Sequence, residues 1–303
     1  NYKEYVQVCQ QFYDKGIKPY SMDLAEDWSN QEIIQAAAIG EFTSLDGIDW
    51  RNQAETSAGE IKFDDVLWKR IFSETSQFLK DSHFSKEDIN VNSNTGTQMF
   101  VEGKSAMFHG QPTDMQKLQD QMDAELIRIP YFSQTSDSSF VYMFPSLNIA
   151  FNKELEKNQE KLDTALDVLD CMISEQGQKL IADGSGVISL NTDVPSMMQN
   201  VPGLEEEIKD SSIYIRYSAQ KSFHASLEAV HGLLSGKMDE MQAYNAFRSA
   251  MNSKDSKEKS TVNFENEYSI SLNDKSGRDA ASSILTTIRE ENDAQLALTP
   301  YYY

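Results

Sequence analysis

Residues 99–112 read MFVEGKSAMFHGQP, and this stretch decides how the rest of the chain is interpreted. A helix is predicted to end just before Gly103, because glycine adopts a left-handed backbone at little cost. The apolar run Ser105–Phe108 is typical of a short buried strand, and a new helix can begin at Pro112 and continue to Leu118. A helix–strand–helix order with a bare glycine after the strand leaves backbone N–H groups free over a cleft. This order suits ligand binding, although an α/β crossover without a ligand fits the same pattern.

The composition limits the function classes. The 303-residue chain carries 27 Lys and Arg against 48 Asp and Glu, which gives a formal net charge of −21. This sign disfavours nucleic acid and anionic membrane surfaces as partners. The length allows one large domain or two moderate ones, and no apolar run is long enough to span a bilayer. The sequence begins in an amphipathic helix without a secretion signal, so an exported form is expected to have lost its targeting segment.

No catalytic, metal or cofactor site is predicted. His224 and His231 lie two turns apart on one predicted helix, about 10 Å along its axis, which is too far to share a zinc ion. Gly103-Lys104-Ser105 lacks the preceding glycine of a phosphate-binding loop. Carboxylates are too numerous for counting to exclude a glycosidase pair, but none stands at an evident strand end beside a second one.

Position alone makes Trp28 the leading candidate for ligand contact. A helix is predicted over residues 2–13 and an extended run over 17–22. Ser29 and Glu32 have the Ser-x-x-Glu spacing of a capping box, so the next helix is expected to start at Ser29. This places Trp28 just ahead of a helix N-terminus, where the ligand crevice of an open α/β sheet lies. A tryptophan that packs on the start of the helix fits the position equally.

Apolar periodicity and turn residues predict the remaining elements. Val66 and Leu166 are expected on the buried faces of their helices. The predicted elements are a polar loop carrying Trp50 over 42–58, an Asn-rich loop over 87–96, strands over 125–130 and 140–151 with a bend at Pro145, extended chain over 187–191 and 295–303, a charged linker over 252–260, and helices over 64–79, 161–174, 175–182, 218–234, 239–251 and 277–291.

Three segments carry a resemblance to a known family. The run Phe100–Met107 matches Phe-x-x-Gly-Lys-x-Ala-Met, and Ser174–Asn191 matches a Ser-Glu-x-Gly-Gln-Lys-Leu-Ile turn followed by Gly-x-Gly-x-Ile-x-x-Asn. Gly16–Trp28 matches Gly-Ile-x-Pro followed by Asp-Trp. Together they resemble the extracellular solute-binding proteins of family 1, the sugar-binding family of ABC importers. The resemblance runs from about Asn1 to about Ala250.

The resemblance implies an α/β fold of the periplasmic-binding-protein-like type II class, helix-rich and built of two lobes. Members normally begin with a βαβ unit that builds most of the first lobe, and this unit is missing here. The first lobe is therefore expected to be incomplete. Residues 1–145 and 205–251 would form the second lobe, residues 146–204 the remnant of the first lobe, and residues 252–303 a linker with a C-terminal helix and strand.

The resemblance also implies where a sugar would bind. Aromatic rings stack on the apolar faces of sugars, while amides and carboxylates bond the hydroxyls. Trp28 matches a common stacking position, whereas Gln111 stands in a turn where many members carry an aromatic residue. An ordinary core position remains an alternative for each aromatic residue. The ligand-binding candidates are Asp27, Trp28, Gln111, Tyr142, Phe144, Tyr217, Phe223 and His224.

The implied function is non-catalytic binding of a mono- or oligosaccharide outside the cell and its delivery to the membrane permease of an ABC importer. A monomer, lipid-anchored at the cell surface in its full-length form, is expected. Cys9 and Cys171 are expected to remain unbonded, because the resemblance puts them in different lobes. Two alternatives stay open: a binding module attached to a 5′-nucleotidase-like enzyme, suggested by the C-terminal tail, and a solute-binding scaffold for a ligand other than sugar.

Overall fold

The chain divides into two units, one of Asn1–Phe144 with Glu205–Glu258 and one of Pro145–Leu204 with Lys259–Tyr303. The computed structural model describes residues 1–56, 61–110, 118–143, 149–185, 189, 191, 193–194, 212–217 and 220–253. Both sheets lie in the first unit, together with most of the described helices.

The first unit alternates helices with short strands. Local signals set several helix ends: Asn1 and Glu4 form a capping box at the start of the first helix, and Gly103, with φ +68°, follows the end of the sixth. The described elements are α1 (Tyr2–Asp14), β1 (Lys18–Ser21), α2 (Asp27–Ala37), α3 (Ile39–Phe42), α4 (Leu45–Thr56), α5 (Asp65–Asp81), α6 (Ser93–Val101), β2 (Ser105–Phe108), β3 (Tyr131–Phe132) and β4 (Ser139–Met143), and, after the second unit, β5 (Ser212–Ile215), α9 (Gln220–Leu234) and α10 (Glu240–Met251).

Two small sheets organise these helices. β1 and β2 pair in parallel, with Tyr20 opposite Met107. β4 is the central strand of a second sheet, antiparallel to β3 and parallel to β5, with Tyr142 opposite Tyr214. Because parallel strands end at the same edge of a sheet, the segments that follow β1 and β2 emerge side by side.

Helix α2 runs through the centre of the first unit. Every residue from Ser29 to Ala37 is buried, including several polar ones. Asn30 donates hydrogen bonds to the carbonyl oxygens of Leu24 (2.9 Å) and Glu26 (2.7 Å), so the polar side chains are partly satisfied by the segment that leads into the helix. The centre of α2 is therefore fixed by polar contacts as well as by apolar packing.

An aromatic core packs beside α2. Trp68 is fully buried, with its ring centroid 4.6 Å from that of Trp50 and 4.9 Å from that of Phe247. Tyr217 lies 5.0 Å from Trp50 and is also fully buried. These rings join α4, α5 and α10 into one packed layer, and large aromatic side chains of this kind dominate core energetics.

The described part of the second unit is mostly helical. A 3₁₀ turn over Lys153–Lys157 leads into α7 (Gln159–Ile173), which Asn158 caps, and α8 (Glu175–Ser185) follows directly. Cys171 is buried in α7, while Cys9 is buried in α1 of the first unit. The two cysteines are not joined in a disulfide.

Several predicted elements are confirmed. The strand Ser105–Phe108 has the predicted bounds. The helix before it ends just ahead of Gly103, as predicted. The helices predicted over residues 2–13, 64–79 and 239–251 correspond to α1, α5 and α10 within two residues at each end.

The predicted start of α2 is wrong. The helix begins at Asp27, and its N-cap Glu26 forms no side-chain cap bond. Ser29 does not cap the helix, because its hydroxyl donates to the Asp23 carboxylate at 2.6 Å. Trp28 consequently lies within the first helical turn and not ahead of it.

Other local predictions also fail. The predicted loop over residues 42–58 is mostly helix α4, and Trp50 is only 3% exposed within the core. Residues 125–130 join no ladder, because pairing begins only at Tyr131. The Asn-rich loop contains a 3₁₀ turn and the start of α6. Val66 and Leu166 are exposed on their helices, and strand β5 was not predicted.

Some predictions lie wholly or mainly outside the described residues. These are the helix after Pro112, the bend at Pro145, the extended chain over 187–191, and the linker, helix and strand after residue 253. In the part of the chain that the structure describes, no helix has the length and apolar character needed to cross a bilayer.

Candidate functional site

Three strand ends in the first unit place charged side chains around the first turns of α2. Asp23 follows β1, His109 follows β2, and Arg216 follows β5. The backbone N–H of His109 donates to the carbonyl of Ser21 at 3.0 Å, which continues the β1–β2 pairing up to this edge. Together with Glu32 of α2 these three residues form a group of four charged side chains, Asp23, Glu32, His109 and Arg216, which we call the charged cluster.

Asp23 accepts hydrogen bonds on both carboxylate oxygens. The hydroxyl of Ser29 donates at 2.6 Å and that of Ser93 at 2.8 Å, while Nδ1 of His109 lies 3.4 Å away. Burial acts to raise the pKa of Asp23, but the hydrogen bonds from His109, Ser29 and Ser93 and the charge of His109 outweigh it, and the net pKa is lowered. Asp23 is therefore ionised at neutral pH.

His109 stands between two carboxylates. Its Nε2 lies 3.0 Å from Oε2 of Glu32, whose other oxygen is paired with the guanidinium of Arg216. The side chains of all four members are 16% exposed or less. Two anions and two cations thus share one enclosed volume, so the cluster carries no net charge while His109 is protonated.

Trp28 lies at the edge of the charged cluster. Its indole is half-buried, and its ring centroid is 5.7 Å from that of His109. The neighbouring Asp27 is exposed in the same helical turn. An apolar ring surface and a set of charged hydrogen-bonding groups are therefore adjacent.

Tyrosines border the charged cluster from the sheet side. The hydroxyls of Tyr20 and Tyr131 lie 3.4 Å apart, and the ring of Tyr142 is 5.7 Å from that of Tyr131. Burial, and next the charge of Glu32, raise the pKa of Tyr142 well above its usual range, so its hydroxyl is protonated. The hydroxyl oxygen of Tyr142 is buried and has no hydrogen-bond partner among the described residues. A buried hydroxyl of this kind is costly unless another group binds it.

The other predicted site residues are placed differently. Tyr217 is fully buried against Phe42 and Trp50, so it offers no surface to a ligand. Phe223 is half-buried on α9, and the His224 side chain is 74% exposed, with Nε2 3.5 Å from Glu228. Gln111 and Phe144 lie outside the described residues.

The sequence pattern predicts no member of the charged cluster as a ligand contact. Asp23 and His109 each come directly after a short strand, and this position is the signal that could have identified them. The spacing from Ser29 to Glu32 predicts only a capping role for Glu32. No sequence pattern indicates Arg216 as a site residue, because strand β5 itself was not predicted.

The fold matches solved structures of binding proteins. A protein from Streptomyces coelicolor described as a secreted solute-binding lipoprotein superposes with a TM-score of 0.60 at 15% identity, covering 83% of this chain and 63% of that one. The binding protein MsmE from Bacillus subtilis subsp. subtilis str. 168, in an open conformation, gives a TM-score of 0.56 at 12% identity, with 81% and 62% covered. This chain has the fold of a periplasmic solute-binding protein.

A third match has a sugar in its binding domain. The maltose/maltodextrin-binding domain MalE from Bdellovibrio bacteriovorus, bound to maltotriose, gives a TM-score of 0.54 at 16% identity, with 82% of this chain and 64% of that chain covered. The chain spans less than two thirds of the length of each of these three solute-binding proteins. The sequence matches no protein-family model and no curated protein sequence.

Proposed function

We propose that this protein binds a neutral carbohydrate without catalysis, at the charged cluster beside Trp28. The observation that carries the proposal is the half-buried indole of Trp28 next to buried carboxylates and cations at the carboxyl ends of β1 and β2. A sugar has an apolar C–H face and a rim of hydroxyls, so it matches both parts of such a surface.

The balance of charge supports a neutral ligand. Asp23 and Glu32 are already paired with His109 and Arg216. A charged ligand would leave one member of the charged cluster without its counter-ion in an enclosed site, which is costly. Hydroxyl groups can join the existing hydrogen bonds without this cost, and the buried hydroxyl of Tyr142 is a candidate donor for one of them.

Delivery to the permease of an ABC importer and a location at the cell surface belong to the same proposal. They are supported by the solute-binding fold and by the description of the Streptomyces coelicolor neighbour as a secreted solute-binding lipoprotein. We further propose that the protein acts as a monomer and that the net charge of −21 keeps nucleic acid from binding.

A ligand panel tests the proposal. Thermal-shift measurements with maltotriose, other neutral oligosaccharides, monosaccharides, amino acids and nucleotides should show stabilisation by a neutral sugar, because a ligand that binds only the folded state raises its melting temperature. Calorimetric titration of each positive compound then gives the affinity. Stabilisation by amino acids alone would favour a scaffold for another solute. Hydrolysis of a nucleotide by the chain would contradict a non-catalytic role.

A further inference from the structure

His109 has a carboxylate oxygen at each ring nitrogen. Nδ1 faces Oδ1 of Asp23 at 3.4 Å, and Nε2 faces Oε2 of Glu32 at 3.0 Å. A neutral imidazole has a single N–H, so its other nitrogen would direct a lone pair at a carboxylate oxygen. Only the imidazolium form donates toward both carboxylates, and the geometry therefore indicates a charged ring.

This ring connects three parts of the first unit. His109 itself follows β2, Asp23 belongs to the segment after β1, and Glu32 lies in the second turn of α2. Ser29 of α2 also donates to Asp23, so the start of the helix is tied to the same carboxylate. The indole of Trp28 lies 5.7 Å from the imidazole, within the distance at which a cation attracts an aromatic ring.

We propose that His109 is the positioning residue of this site: as an imidazolium bridging Asp23 and Glu32, it holds the first turn of α2 and orients the Trp28 indole toward the ligand. The proposal rests on the proposed function in one respect, which is that Trp28 contacts the ligand. The dependence of the Trp28 environment on the charge of His109 can be measured without any ligand.

The groups around His109 determine its charge. Asp23 faces it from the segment after β1, Glu32 from α2 and Tyr131 from β3, while Arg216 pairs with the far oxygen of Glu32. Burial acts to lower the pKa of His109, but Tyr131 and the two carboxylates outweigh it, and the net pKa is well above the usual range. His109 is therefore expected to stay charged around the ordinary histidine value of about 6.5 and to lose its proton only at a pH well above that value.

Two titrations of the full chain test the proposal. Ring ¹⁵N chemical shifts of the histidines are followed against pH, and the His109 signal is assigned by its loss in His109→Gln. The emission of Trp28 is followed in parallel, as the difference between the wild type and Trp28→Phe. We expect the His109 shifts and the Trp28 emission to stay constant through about pH 6.5 and then to change together at one higher pH.

Variants separate positioning from simple packing. Glutamine is neutral and cannot replace a cation that bridges two carboxylates. His109→Gln should therefore shift the Trp28 emission to the red, lower its anisotropy and abolish its pH dependence. His109→Lys retains a cation with several donors and should restore part of the wild-type emission. His83→Gln, at a histidine that stacks on Tyr13, is the matched control and should leave the emission unchanged.

Two results would overturn the proposal: loss of the His109 proton near pH ~6.5, or Trp28 emission that does not follow the charge of His109. If His109→Gln does not fold, the two wild-type titrations decide the question. The His109 signal is then assigned through nuclear Overhauser effects to the Trp28 ring. A ligand panel without a sugar that binds would contradict the proposed function and not these titrations, so the two failures can be told apart.

Discussion

Trp28 presents a half-buried indole to the space beside the charged cluster. Removing this ring distinguishes its contribution to ligand affinity from its contribution to stability. Stacking of an aromatic ring contributes about 0.5–1.5 kcal/mol, and ~1.4 kcal/mol is a factor of ten in affinity. Trp28→Ala should therefore weaken sugar binding by up to about tenfold, as measured by calorimetric titration. Its melting temperature should change little, because much of the ring is outside the core.

Tyr13→Ala is the matched control for Trp28→Ala. Tyr13 is likewise an aromatic residue on a helix; it is exposed, and its ring stacks on His83. Its removal should leave the affinity for sugar unchanged. A large drop in the melting temperature of Trp28→Ala with unchanged affinity would make Trp28 a packing residue and remove the stacking surface from the site.

Glu74 makes the stability of the first unit depend on pH. Burial, and next the charge of Glu41, raise the pKa of Glu74 to about 7 against the opposing effect of Arg70, and its buried Oε2 has no hydrogen-bond partner among the described residues. A raised carboxyl pKa means that the folded state keeps a proton that the unfolded chain has lost, so stability falls as pH rises from about 4.5 to about 7.

Glu74→Gln removes this titration. The variant should be more stable than the wild type above about pH 7, and the difference should shrink toward about pH 4.5, as followed by urea unfolding at several pH values. Glu156→Gln replaces an exposed carboxylate and should follow the wild-type curve. A Glu74→Gln curve parallel to that of the wild type would show that Glu74 does not titrate in this range.

At the scale of the elements, Gln35 joins α2 to the end of β5. Its side-chain oxygen accepts from the Tyr214 hydroxyl at 2.7 Å and from the Tyr217 backbone N–H at 3.2 Å, and its amide nitrogen donates to the Tyr217 carbonyl at 3.3 Å. Gln35 is fully buried. It therefore fixes the segment that carries Arg216 into the charged cluster.

Gln35→Met keeps the length of the side chain and removes all three hydrogen bonds. Because a buried polar group that loses its partner costs about 1–3 kcal/mol, the free energy of unfolding should fall by roughly 2–4 kcal/mol in chemical denaturation. Gln7→Met makes the same substitution at an exposed position of α1 and should change it by less than about 0.5 kcal/mol. Equal stability of the two variants would mean that α2 holds β5 by packing alone.

How much could be predicted differs between elements. Strand β2 and helix α6 follow local signals, since an apolar run and a glycine with φ +68° stand next to each other in the chain. In helix α4 the apolar residues Leu45 and Ile48 are exposed, so no apolar period predicts a buried face. Tertiary packing of the buried Trp50 stabilises the helix instead. Strand β5 has four residues and is defined by its pairing with β4, which is distant in sequence.

The charged cluster shows the same limit. Trp28 was identified because its neighbourhood in sequence is distinctive. Glu32 and His109 become a pair only when α2 lies across the carboxyl edge of β1 and β2, and no local pattern encodes that contact. A site built from strand ends can be anticipated as a position in the fold, but its members become known only with the topology.

At the scale of the whole molecule, the two cysteines belong to different units and are both buried. Burial raises the pKa of the Cys9 thiol to about 11, so the thiol stays protonated at neutral pH and reacts slowly. Alkylation without reductant should modify both cysteines in denaturant, and Cys9 should react slowly in the native protein, as read by intact mass. No modification in denaturant would show a disulfide between Cys9 and Cys171.

The net charge of −21 should make stability depend on salt. Like charges spread over one surface repel each other, and this repulsion is larger in the folded chain because the charges are closer together. The ion pairs with both side chains exposed, such as Lys80 with Glu240 at 3.8 Å, act in the opposite direction, but each contributes at most about 1 kcal/mol. With an excess of 21 negative charges, repulsion should dominate.

Raising sodium chloride from about 10 mM to about 150 mM shortens the screening length from roughly 30 Å to roughly 8 Å, which weakens the repulsion between distant charges most. The melting temperature at neutral pH should therefore rise by several degrees in differential scanning calorimetry. The same salt step nearer the isoelectric point of about 4.5 is the control, and there the rise should shrink because the net charge approaches zero. A melting temperature that falls with salt at neutral pH would mean that attractive ion pairs outweigh the excess of negative charge, and the acidic exterior would then stabilise the fold.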